Sequence, residues 1–395
     1  MKICGIVAEY NPFHNGHAYH CEKTRQLLGD ETALIAVMSG NFVQRGDFAM
    51  LDKYQRAAMA VQNGLDLVIE LPLAAALSSA EDFSRGAIAA LEKMGCVTHL
   101  SFGSECGDIT RIQKAARADR SLVHRYIAAG ASYAAALQQA VSAADPDAGT
   151  LLSHPNNTLG IEYCAALDTL DSQITPITIF RDGAAHDSAD VHVRPSASFL
   201  RTQILQGHLE GCKARMPLSA FSILSEACDT GHAPASHTVC DLALVSYLRR
   251  LSPADFIPYT GDIDGLHHRL YRAVQQNFNF SAICQAAQTR RYPLARIRRA
   301  LLRTYLGLCH DASPLPRYLR VLAIGPHGRK LLREIAAHSP LPLIVKPVSE
   351  KKLPQDLQPY LQQDVLADDL YSLAQPNRTL HIGGQHYCHT PYLFQ

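Results

Sequence analysis

The sequence contains no Cys-x-x-Cys pair and no apolar run of the length that a membrane span requires. Its eleven cysteines are scattered along the chain, which excludes a zinc ribbon and a disulfide framework and predicts reduced thiols. The apolar stretch near the N-terminus is interrupted at Glu9, too early for a signal-peptide core. We therefore expect a soluble, cytoplasmic protein with no membrane partner.

Charged residues are also sparse, at 18% against 47% hydrophobic residues, which excludes a disordered or collagen-like chain. A length of 395 residues favours two domains. The net charge of +1 hides an asymmetry. Residues 1–205 contain 16 Lys and Arg against 22 Asp and Glu, whereas residues 206–395 contain 21 against 14. Only the second region is suited to binding a polyanion.

The first region alternates β-prone runs with helical patterns, which predicts parallel βαβ units and an α/β fold. Strands are predicted at Ile3–Ala8, Ala33–Met38, Leu67–Leu71, His99–Phe102 and Ile174–Phe180. Helices are predicted at His17–Leu28, Lys53–Asn63, Ser84–Lys93 and Gln113–His124. Ligands of open α/β sheets bind at the carboxyl ends of the strands, so we expect the functional site there.

The second region has a weak strand signal and is predicted to be mainly helical. Its helical patterns are Ala220–Cys228, Cys240–Leu251, Gly265–Asn277, Ser281–Thr289, Leu294–Leu308 and Gly328–His338. The predicted domains are therefore residues 1–205 and residues 206–395.

A His-x-Gly-His motif, His14 to His17, follows the first predicted strand and opens the first predicted helix. A helix N-terminus offers unpaired N–H groups and partial positive charge, both of which suit a phosphate. Gly16 removes a side chain where a nucleotide could approach the backbone. The two imidazoles are three residues apart, so both can face one ligand and stabilise charge on an attacked phosphate. The alternative is a pair of ordinary surface or capping histidines.

This strand, loop and helix resemble the HxGH nucleotidyltransferase superfamily, which implies a Rossmann-like catalytic domain. Further blocks of sequence resemble the bacterial tRNA(Met) cytidine acetate ligase family within it. The blocks are Ile6–His20, Met38–Gly46, Asp52-Lys53, Asp66–Pro72, Phe102–Glu105, His154–Leu159 and Arg181–Asp187. One departure is Tyr54, which stands where the family is expected to have tryptophan, a residue this chain lacks.

The resemblance implies an enzyme that uses ATP to activate acetate as acetyl-adenylate and then acetylates N4 of the wobble cytidine of elongator tRNA(Met). His14 and His17 would be catalytic, and Mg²⁺ would accompany ATP, held largely by phosphate and water. No metal-binding protein residues and no obligate protein partner are expected. The implied ATP-binding loop comprises Val7, Ala8, Glu9, Tyr10, Asn11, Pro12, Phe13, His14, Asn15, Gly16, His17, Ala18, Tyr19 and His20.

The same resemblance adds residues from later in the chain to the ATP site. They are Gly103, Arg181 and one of Asn156 and Asn157, between which spacing alone does not decide. The segment from Ser196 to Arg201 resembles the Ser/Thr-rich segment that meets the ATP phosphates in the superfamily, so Ser196, Ser198 and Arg201 are included. A serine N-cap followed by a solvated arginine is the alternative there.

Other polar residues have weaker assignments. Gly40, Asn41, Gln44 and Arg45 could line an acetate or base pocket, and Lys53 could reach a phosphate or acetate, but structural roles are as plausible for each. The C-terminal histidines His381, His386 and His389 fit no standard zinc spacing.

An arginine-rich segment stands out in the basic region. Between Asp264 and Asp311 there are eight arginines, no acidic residue and no lysine. Arginine with nearby Tyr292 and Tyr305 suits phosphate pairing and base stacking, which predicts RNA contact rather than a merely solvated helix face. The resemblance implies that this RNA is tRNA. The predicted tRNA-binding residues are Arg290, Arg291, Arg296, Arg298, Arg299 and Arg303.

Three other functions remain open at this level. An adenylyltransferase of the same superfamily could act on a small molecule, although such chains are usually much shorter. An acetate ligase could transfer acetate to a protein thiol. A non-catalytic RNA-binding factor could retain the fold, but intact His14, Gly16, His17 and Arg181 argue against it.

Overall fold

The structure is a computed structural model that describes residues 2–181, 197–261, 265–346 and 353–394, with Arg120 described by its backbone alone. The strands are β1 (Ile3–Ala8), β2 (Ala33–Ser39), β3 (Phe42–Val43), β4 (Asp47–Phe48), β5 (Leu67–Leu71), β6 (His99–Ser104), β7 (Thr175–Phe180), β8 (Leu319–Ile324), β9 (Leu343–Ile344) and β10 (Tyr392–Leu393).

Helices lie between and after these strands. In the first half they are α1 (Asn15–Leu28), α2 (Lys53–Val61), α3 (Leu73–Ala76), α4 (Ala80–Lys93), α5 (Ile109–Ala116), α6 (Arg120–Ala128), α7 (Tyr133–Ala144), α8 (Pro146–Gly149), α9 (Pro155–Thr169) and α10 (Ala197–Leu205). In the second half they are α11 (Glu210–Lys213), α12 (Leu218–Asp229), α13 (Asp241–Arg249), α14 (Ile257–Thr260), α15 (Leu266–Gln276), α16 (Phe280–Ala287), α17 (Leu294–Leu306), α18 (Gly328–His338), α19 (Gln358–Ser372) and α20 (Gln385–Cys388). Short 3₁₀ turns are Thr150–Ser153, Pro253–Phe256, Gln355–Leu357 and Arg378–Leu380.

The central sheet has the strand order β10-β8-β5-β2-β1-β6-β7, with β9 paired to β8. All neighbours from β5 to β7 are parallel, whereas β8 runs antiparallel to β5. The chain builds β2 and β5 on one side of β1 and then crosses to place β6 on the other side. The carboxyl ends of β1 and β6 therefore flank a topological switch point, where ligands of such sheets bind.

Both faces of the sheet are covered, as β2 illustrates. Its seven residues are all buried. Ile35 and Val37 point into one hydrophobic cluster, whereas Leu34, Ala36 and Met38 point into another on the opposite face. Successive strand residues alternate between faces, so a strand that is apolar at every position must lie between two helical layers.

Two sequence expectations about elements are wrong. Gln113–His124 is not one helix, because Asp119 accepts a hydrogen bond from the Ser121 amide at 2.9 Å and starts a separate helix, α6. The second region is helical, as predicted, but it also contributes the fully buried strand β8. A run of five apolar residues and one arginine cannot be assigned to strand or helix by periodicity alone.

The predicted regions 1–205 and 206–395 share both the sheet and a core. Strand β8 lies beside β5, and Phe42 and Phe48 of the first region belong to the hydrophobic cluster of the helical region, with Leu270 and Leu301. All eleven cysteines are free thiols. Among the described residues, no helix is both long enough and apolar enough to cross a membrane.

Candidate active site

The HxGH motif forms the turn from β1 into α1, and His14 is the N-cap of the helix. The Nδ1 atom of His14 accepts a hydrogen bond from the Gly16 amide at 3.0 Å, and Nδ1 of His17 accepts one from the His14 amide at 3.2 Å. This reciprocal arrangement satisfies two amides that a helix start leaves unpaired. The alternative of capping histidines is therefore correct as far as the backbone is concerned, and it has a chemical consequence.

Capping fixes the tautomer of both rings. A ring nitrogen that accepts a hydrogen bond carries no proton, so each neutral imidazole must carry its proton on Nε2. The two rings stack with their centroids 3.8 Å apart. The motif thus places two neighbouring Nε2–H donors at the N-terminus of α1, where partial positive charge also favours an anion.

Both histidines are held neutral. Burial, followed by the positive charges of Arg181 and Arg201, lowers the pKa of His14 to about 3. Burial and the neighbouring His14, Arg181 and His20 lower the pKa of His17 well below its usual value. Burial and Arg181 lower the pKa of His20 to about 4. The positive charge of Arg181 contributes to the lowered pKa of all three rings.

Aromatic side chains pack against the ring of His17. Tyr10, with a positive φ of 46°, and the buried Phe13 both contact the His17 ring, with centroid distances of 4.8 and 5.3 Å. His20, one turn after His17, places Nε2 2.8 Å from the Ser101 hydroxyl of β6. The rings thus rest on buried groups from β6 and the loop.

The other loop residues are used mainly to hold the loop. Glu9 accepts a hydrogen bond from the Gln44 amide at 2.8 Å, and the Asn11 side chain accepts one from the Met50 amide at 2.9 Å. The Asn15 side chain donates to the Ala214 carbonyl at 3.2 Å. The remaining predicted loop residues end β1, fill the buried turn or lie half-buried on α1, and they are Val7, Ala8, Pro12, Ala18 and Tyr19.

Arg56 of α2 is a residue that sequence reasoning missed. Its side chain is fully buried and donates to backbone carbonyls at the ends of both β1 and β2, namely those of Glu9 at 2.5 Å, Ser39 at 3.1 Å and Gly40. It therefore ties the loop that carries the HxGH motif to the loop after β2. The only sequence signal is a charged residue among the apolar positions Ala57, Met59 and Ala60.

Gly103 is the last but one residue of β6, Arg181 directly follows the neighbouring strand β7, and the two are packed together. A Cβ added at Gly103 would lie 2.9 Å from both Cγ and Cδ of Arg181, so the absence of a side chain lets the arginine cross the strand end. Arg181 Nη1 lies 3.4 Å from Oδ1 of Asn156, its acceptor. Gly103, Arg181 and Asn156, which the resemblance assigns to one site, are therefore neighbours in the fold.

The two asparagines of α9 have different surroundings. Asn157 is buried, and its Oδ1 accepts from the amides of Glu105 at 2.9 Å and Cys106 at 3.1 Å. Asn156 is half-buried, faces Arg181 and donates to the Glu105 carboxylate at 2.6 Å. Asn157 therefore holds the loop after β6, and Asn156 lies at the surface of the site.

The predicted phosphate-binding segment also approaches the motif. Arg201 donates to the Asn11 carbonyl at 2.9 Å and to the Ser198 hydroxyl at 2.9 Å, so it is not a solvated arginine. Ser196 lies outside the described residues.

The comparisons with known proteins agree with this geometry. A family model described as HIGH Nucleotidyl Transferase matches residues 1–385. The tRNA(Met) cytidine acetate ligase of Thermoanaerobacter sp. (strain X514) is 35% identical over 393 residues, 96% of this chain and 97% of that protein. The same ligase of Alkaliphilus metalliredigens (strain QYMF) is 33% identical over 422 residues, 99% of each. The chain belongs to the tRNA(Met) cytidine acetate ligase family.

Solved structures confirm the fold class predicted for this member of the ligase family. The crystal structure of Thermotoga maritima TmcAL bound with alpha-thio ATP is 30% identical, covers 100% of this chain and 99% of that one, and gives a TM-score of 0.91. The apo form gives a TM-score of 0.92 with full coverage of both chains. The predicted family is likewise confirmed.

In this ligase family member, Lys53 is not placed to bind a substrate. It is buried, and Nζ lies 3.0 Å from both carboxylate oxygens of Glu70 and 2.8 Å from Oδ2 of Asp368. Asn41 donates to the other oxygen of Asp368 at 2.9 Å, and His386 Nδ1 lies 2.8 Å from Oδ2. The cluster fastens the C-terminal helices to the ends of β2 and β5.

The C-terminal histidines have separate structural contacts. His381 lies 2.8 Å from the Gln375 carbonyl, and His389 stacks on Tyr54 with centroids 4.9 Å apart. Tyr54 therefore retains an aromatic contact at the position where tryptophan was expected. Among the described residues, no group of three or more His, Cys, Asp or Glu side chains is placed to hold a metal ion.

The six arginines predicted to bind tRNA fall into two groups. Arg290 and Arg291 are exposed, and Arg296 lies over the Tyr292 ring at 5.1 Å. The other three contact the first half of the chain. Arg298 pairs with Asp47 at 3.4 Å, Arg299 donates to the Gln44 carbonyl at 2.9 Å, and Arg303 donates to the Leu77 carbonyl at 3.0 Å. Arg298, Arg299 and Arg303 therefore dock helix α17 on the first half of the chain, whereas Arg290 and Arg291 lie exposed before the helix and Arg296 lies half-buried in its first turn.

Proposed function

We propose that this chain is an ATP-dependent ligase that activates acetate as acetyl-adenylate and acetylates N4 of the wobble cytidine of elongator tRNA(Met). The observation that carries the proposal is the stacked pair His14 and His17, with both Nε2–H donors fixed by capping and the positive charge of Arg181 acting on both rings. Membership of the tRNA(Met) cytidine acetate ligase family supports the same substrate and acceptor.

The reaction needs two displacements. An acetate oxygen attacks the α-phosphorus of ATP and pyrophosphate leaves, giving a mixed anhydride. The N4 amine of cytidine then attacks the acetyl carbonyl, AMP leaves, and the amine loses a proton to solvent. Neutral imidazoles stabilise the first step by donating Nε2–H to phosphoryl oxygens on which charge increases.

Arg181 supplies a permanent positive charge beside these donors. A guanidinium presents donors in a fixed fork that matches phosphate oxygens. We assign the second ATP contact of this strand end to Asn156 rather than Asn157. Asn156 touches Arg181 and lies at the surface of the site, whereas the Asn157 amide is committed to the amides of Glu105 and Cys106.

Mg²⁺ is proposed on the chemistry of ATP alone. A triphosphate binds Mg²⁺ through its own oxygens, and the ion keeps several waters and needs few protein ligands. When bound with ATP it would neutralise phosphate charge, which makes the α-phosphorus more open to attack by an anion.

We further propose that tRNA contacts the exposed part of the arginine segment, Arg290, Arg291 and Arg296. Arg298, Arg299 and Arg303 hold α17 against the first half of the chain and so orient that surface relative to the ATP-binding loop.

A cytoplasmic location is proposed because tRNA and ATP are found there.

The test is a single reaction containing the protein, ATP, Mg²⁺, isotopically labelled acetate and bulk bacterial tRNA, followed by digestion and mass spectrometry of the nucleosides. Labelled N4-acetylcytidine, absent without ATP, is expected. Acetate-dependent AMP without the labelled nucleoside would contradict the tRNA acceptor and favour a small molecule or protein thiol. Absence of both products would contradict acetate activation.

A further inference from the structure

Phe278 is an exposed aromatic residue in the loop between α15 and α16. Its side chain is 80% exposed, and that of Leu242 on the adjacent α13 is 84% exposed. Scattered apolar residues on a surface are ordinary and by themselves indicate nothing. Phe278 is an aromatic residue in a loop, and hydrogen bonds fix the backbone on both sides of it.

Hydrogen bonds hold this loop against α13 and at the ends of its own helices. Arg249 near the end of α13 donates to the Asn277 carbonyl at 3.1 Å, and Asp241 at its start accepts from the Phe280 amide at 2.7 Å. The two flanking asparagines bond locally. The Asn277 side chain donates to the Ala273 carbonyl at 2.8 Å, and the Asn279 side chain accepts from the Ala282 amide at 2.7 Å. The phenyl ring is thus presented to solvent from an ordered backbone, which lowers the entropy lost on binding a partner.

The charge around the loop favours a polyanion. Residues 265–310 contain eight arginines, no acidic residue and no lysine. Arg269 and Arg272 are exposed on α15, the helix that leads into the loop. The carboxylate of Asp241, which lies beside the loop, is engaged by the Phe280 amide. An exposed aromatic ring in an arginine-rich segment is typical of surfaces that bind unpaired nucleotides, since every base has a face on which a ring can stack.

Helix α16 connects this loop to the side of the molecule that carries the ATP-binding loop. The Ser281 hydroxyl in the first turn lies 3.0 Å from Nε2 of His237, and Nδ1 of His237 lies 3.1 Å from Asp47 of β4. Asp47 is three residues from Gln44, whose amide bonds to Glu9. Phe278 is therefore fixed relative to the active site through a short series of bonded residues.

We propose that Phe278 is a stacking platform for an unpaired base of the bound tRNA, with Arg269 and Arg272 contacting the adjacent phosphates. The proposal rests on the proposed function, because that function supplies the tRNA. It extends the RNA surface from the start of α17 to the end of α15.

The absence of tryptophan from the chain makes the test direct. Phe278→Trp creates a single-tryptophan protein whose emission reports on this position alone. The matched control is Leu27→Trp on α1, where the native side chain is 62% exposed and lies far along the chain from the arginine segment. Each variant is titrated with tRNA and with a fully paired RNA duplex of similar charge, after circular dichroism has shown that it is folded.

We expect tRNA to quench the emission of Phe278→Trp and to shield it from acrylamide, with no change in Leu27→Trp and less change with the duplex. Phe278→Ala should weaken tRNA binding by about 5- to 150-fold, the range for one stacked base, whereas Phe278→Tyr should bind like the wild type. Unchanged emission in a Phe278→Trp protein that still produces N4-acetylcytidine would overturn the platform and leave the proposed function intact. Equal quenching by the duplex would overturn recognition of an unpaired base. If the wild type neither binds tRNA nor acetylates it, the proposed function fails, and the platform fails with it.

Discussion

Arg299 donates a hydrogen bond to the carbonyl of Gln44 at 2.9 Å, and the amide of the same Gln44 donates to the Glu9 carboxylate at 2.8 Å. One residue thus joins the arginine-rich helix to the loop that carries the HxGH motif. The contact is close, because a Cβ added at Gly46, whose φ is 74°, would lie 2.6 Å from the Arg299 amide nitrogen. The arginine segment therefore has two parts: Arg299 helps to position the loop of the candidate active site, and the exposed arginines form a surface.

This arrangement predicts different phenotypes for two sets of arginine variants. Arg299→Ala should raise the KM for ATP and lower the free energy of unfolding by about 1–3 kcal/mol, because it leaves a half-buried carbonyl unpaired. The double variant Arg290→Ala and Arg291→Ala should instead weaken tRNA binding and reduce the slope of log K against log salt by about 1.5. Acetate-dependent pyrophosphate release should persist in the double variant. An unchanged salt slope would show that these two exposed arginines do not contact tRNA.

The histidine pair predicts a specific loss of chemistry. His17→Ala removes one Nε2–H donor and should lower the rate of acetyl-adenylate formation by about 100- to 1,000-fold, since a single donor to a developing oxyanion has effects of that size. Binding of tRNA, measured by filter retention, should stay within a factor of two. A rate within threefold of the wild type would remove His17 from the mechanism.

The lowered pKa values of His14 and His20 predict how stability depends on pH. An unfolded histidine takes up a proton near pH 6.5, whereas folded His14 and His20 take one up only near pH 3 and pH 4. Between these values the unfolded state binds more protons, so the free energy of unfolding falls as the pH is lowered from about 6.5.

His14→Asn retains a good N-cap residue and removes one of these titrations, so its stability should fall less steeply. Urea unfolding at pH 7 and pH 4.5 measures the difference, with the exposed His208→Asn as the control. A slope equal to that of the wild type would contradict a neutral His14.

The two adjacent asparagines provide a test within one helix turn. Asn157→Ala should destabilise the fold by about 2–4 kcal/mol, because the amides of Glu105 and Cys106 lose a buried acceptor. Asn156→Ala should change stability little but raise the KM for ATP. Thermal unfolding and ATP-dependent pyrophosphate release separate the two effects. The reverse pattern would assign the ATP contact to Asn157.

Local sequence signals were sufficient for the elements that carry the motif. The bounds of β1 and β5 match the predicted strands, because each is a mainly apolar run bounded by polar or turn-forming residues, with Glu70 the one charged residue in β5. The His-x-Gly-His spacing placed both imidazoles at a helix start, as the structure has them. The sequence could not show which of Asn156 and Asn157 belongs to the site. The answer depends on which side-chain amide points to the loop after β6, and the spacing of two adjacent residues does not determine that.

Long-range contacts were beyond what the sequence pattern could give. Arg303 lies in a segment whose composition is typical of phosphate binding. Its guanidinium nevertheless donates to the carbonyls of Leu77 and Cys309. Strand β8 was missed because its partner β5 lies more than 240 residues earlier, and no local period encodes that pairing. Arg56 shows the same limit, since its role arises only when the ends of β1 and β2 meet around it.

The ion cluster at Lys53 predicts that removing a buried cation lowers the free energy of unfolding more than removing the cation of an exposed ion pair. Burial raises the pKa of Glu70. Burial alone would also raise that of Asp368, but the charge of Lys53 and the hydrogen bond from His386 lower it, so Asp368 is ionised and depends on Lys53. Lys53→Met removes the cation that Asp368 and Glu70 share, leaving Glu70 paired with Arg320 at 3.5 Å, and should lower the free energy of unfolding by about 3–5 kcal/mol. The matched control is Lys114→Met, which removes the exposed partner of Asp145 and should change stability little. Chemical denaturation measures both, and equal effects would mean that the cluster does not fasten the C-terminal helices. Because Asp368 also holds Asn41, the Lys53 variant should in addition expose α19 and α20 to faster amide exchange than the rest of the sheet.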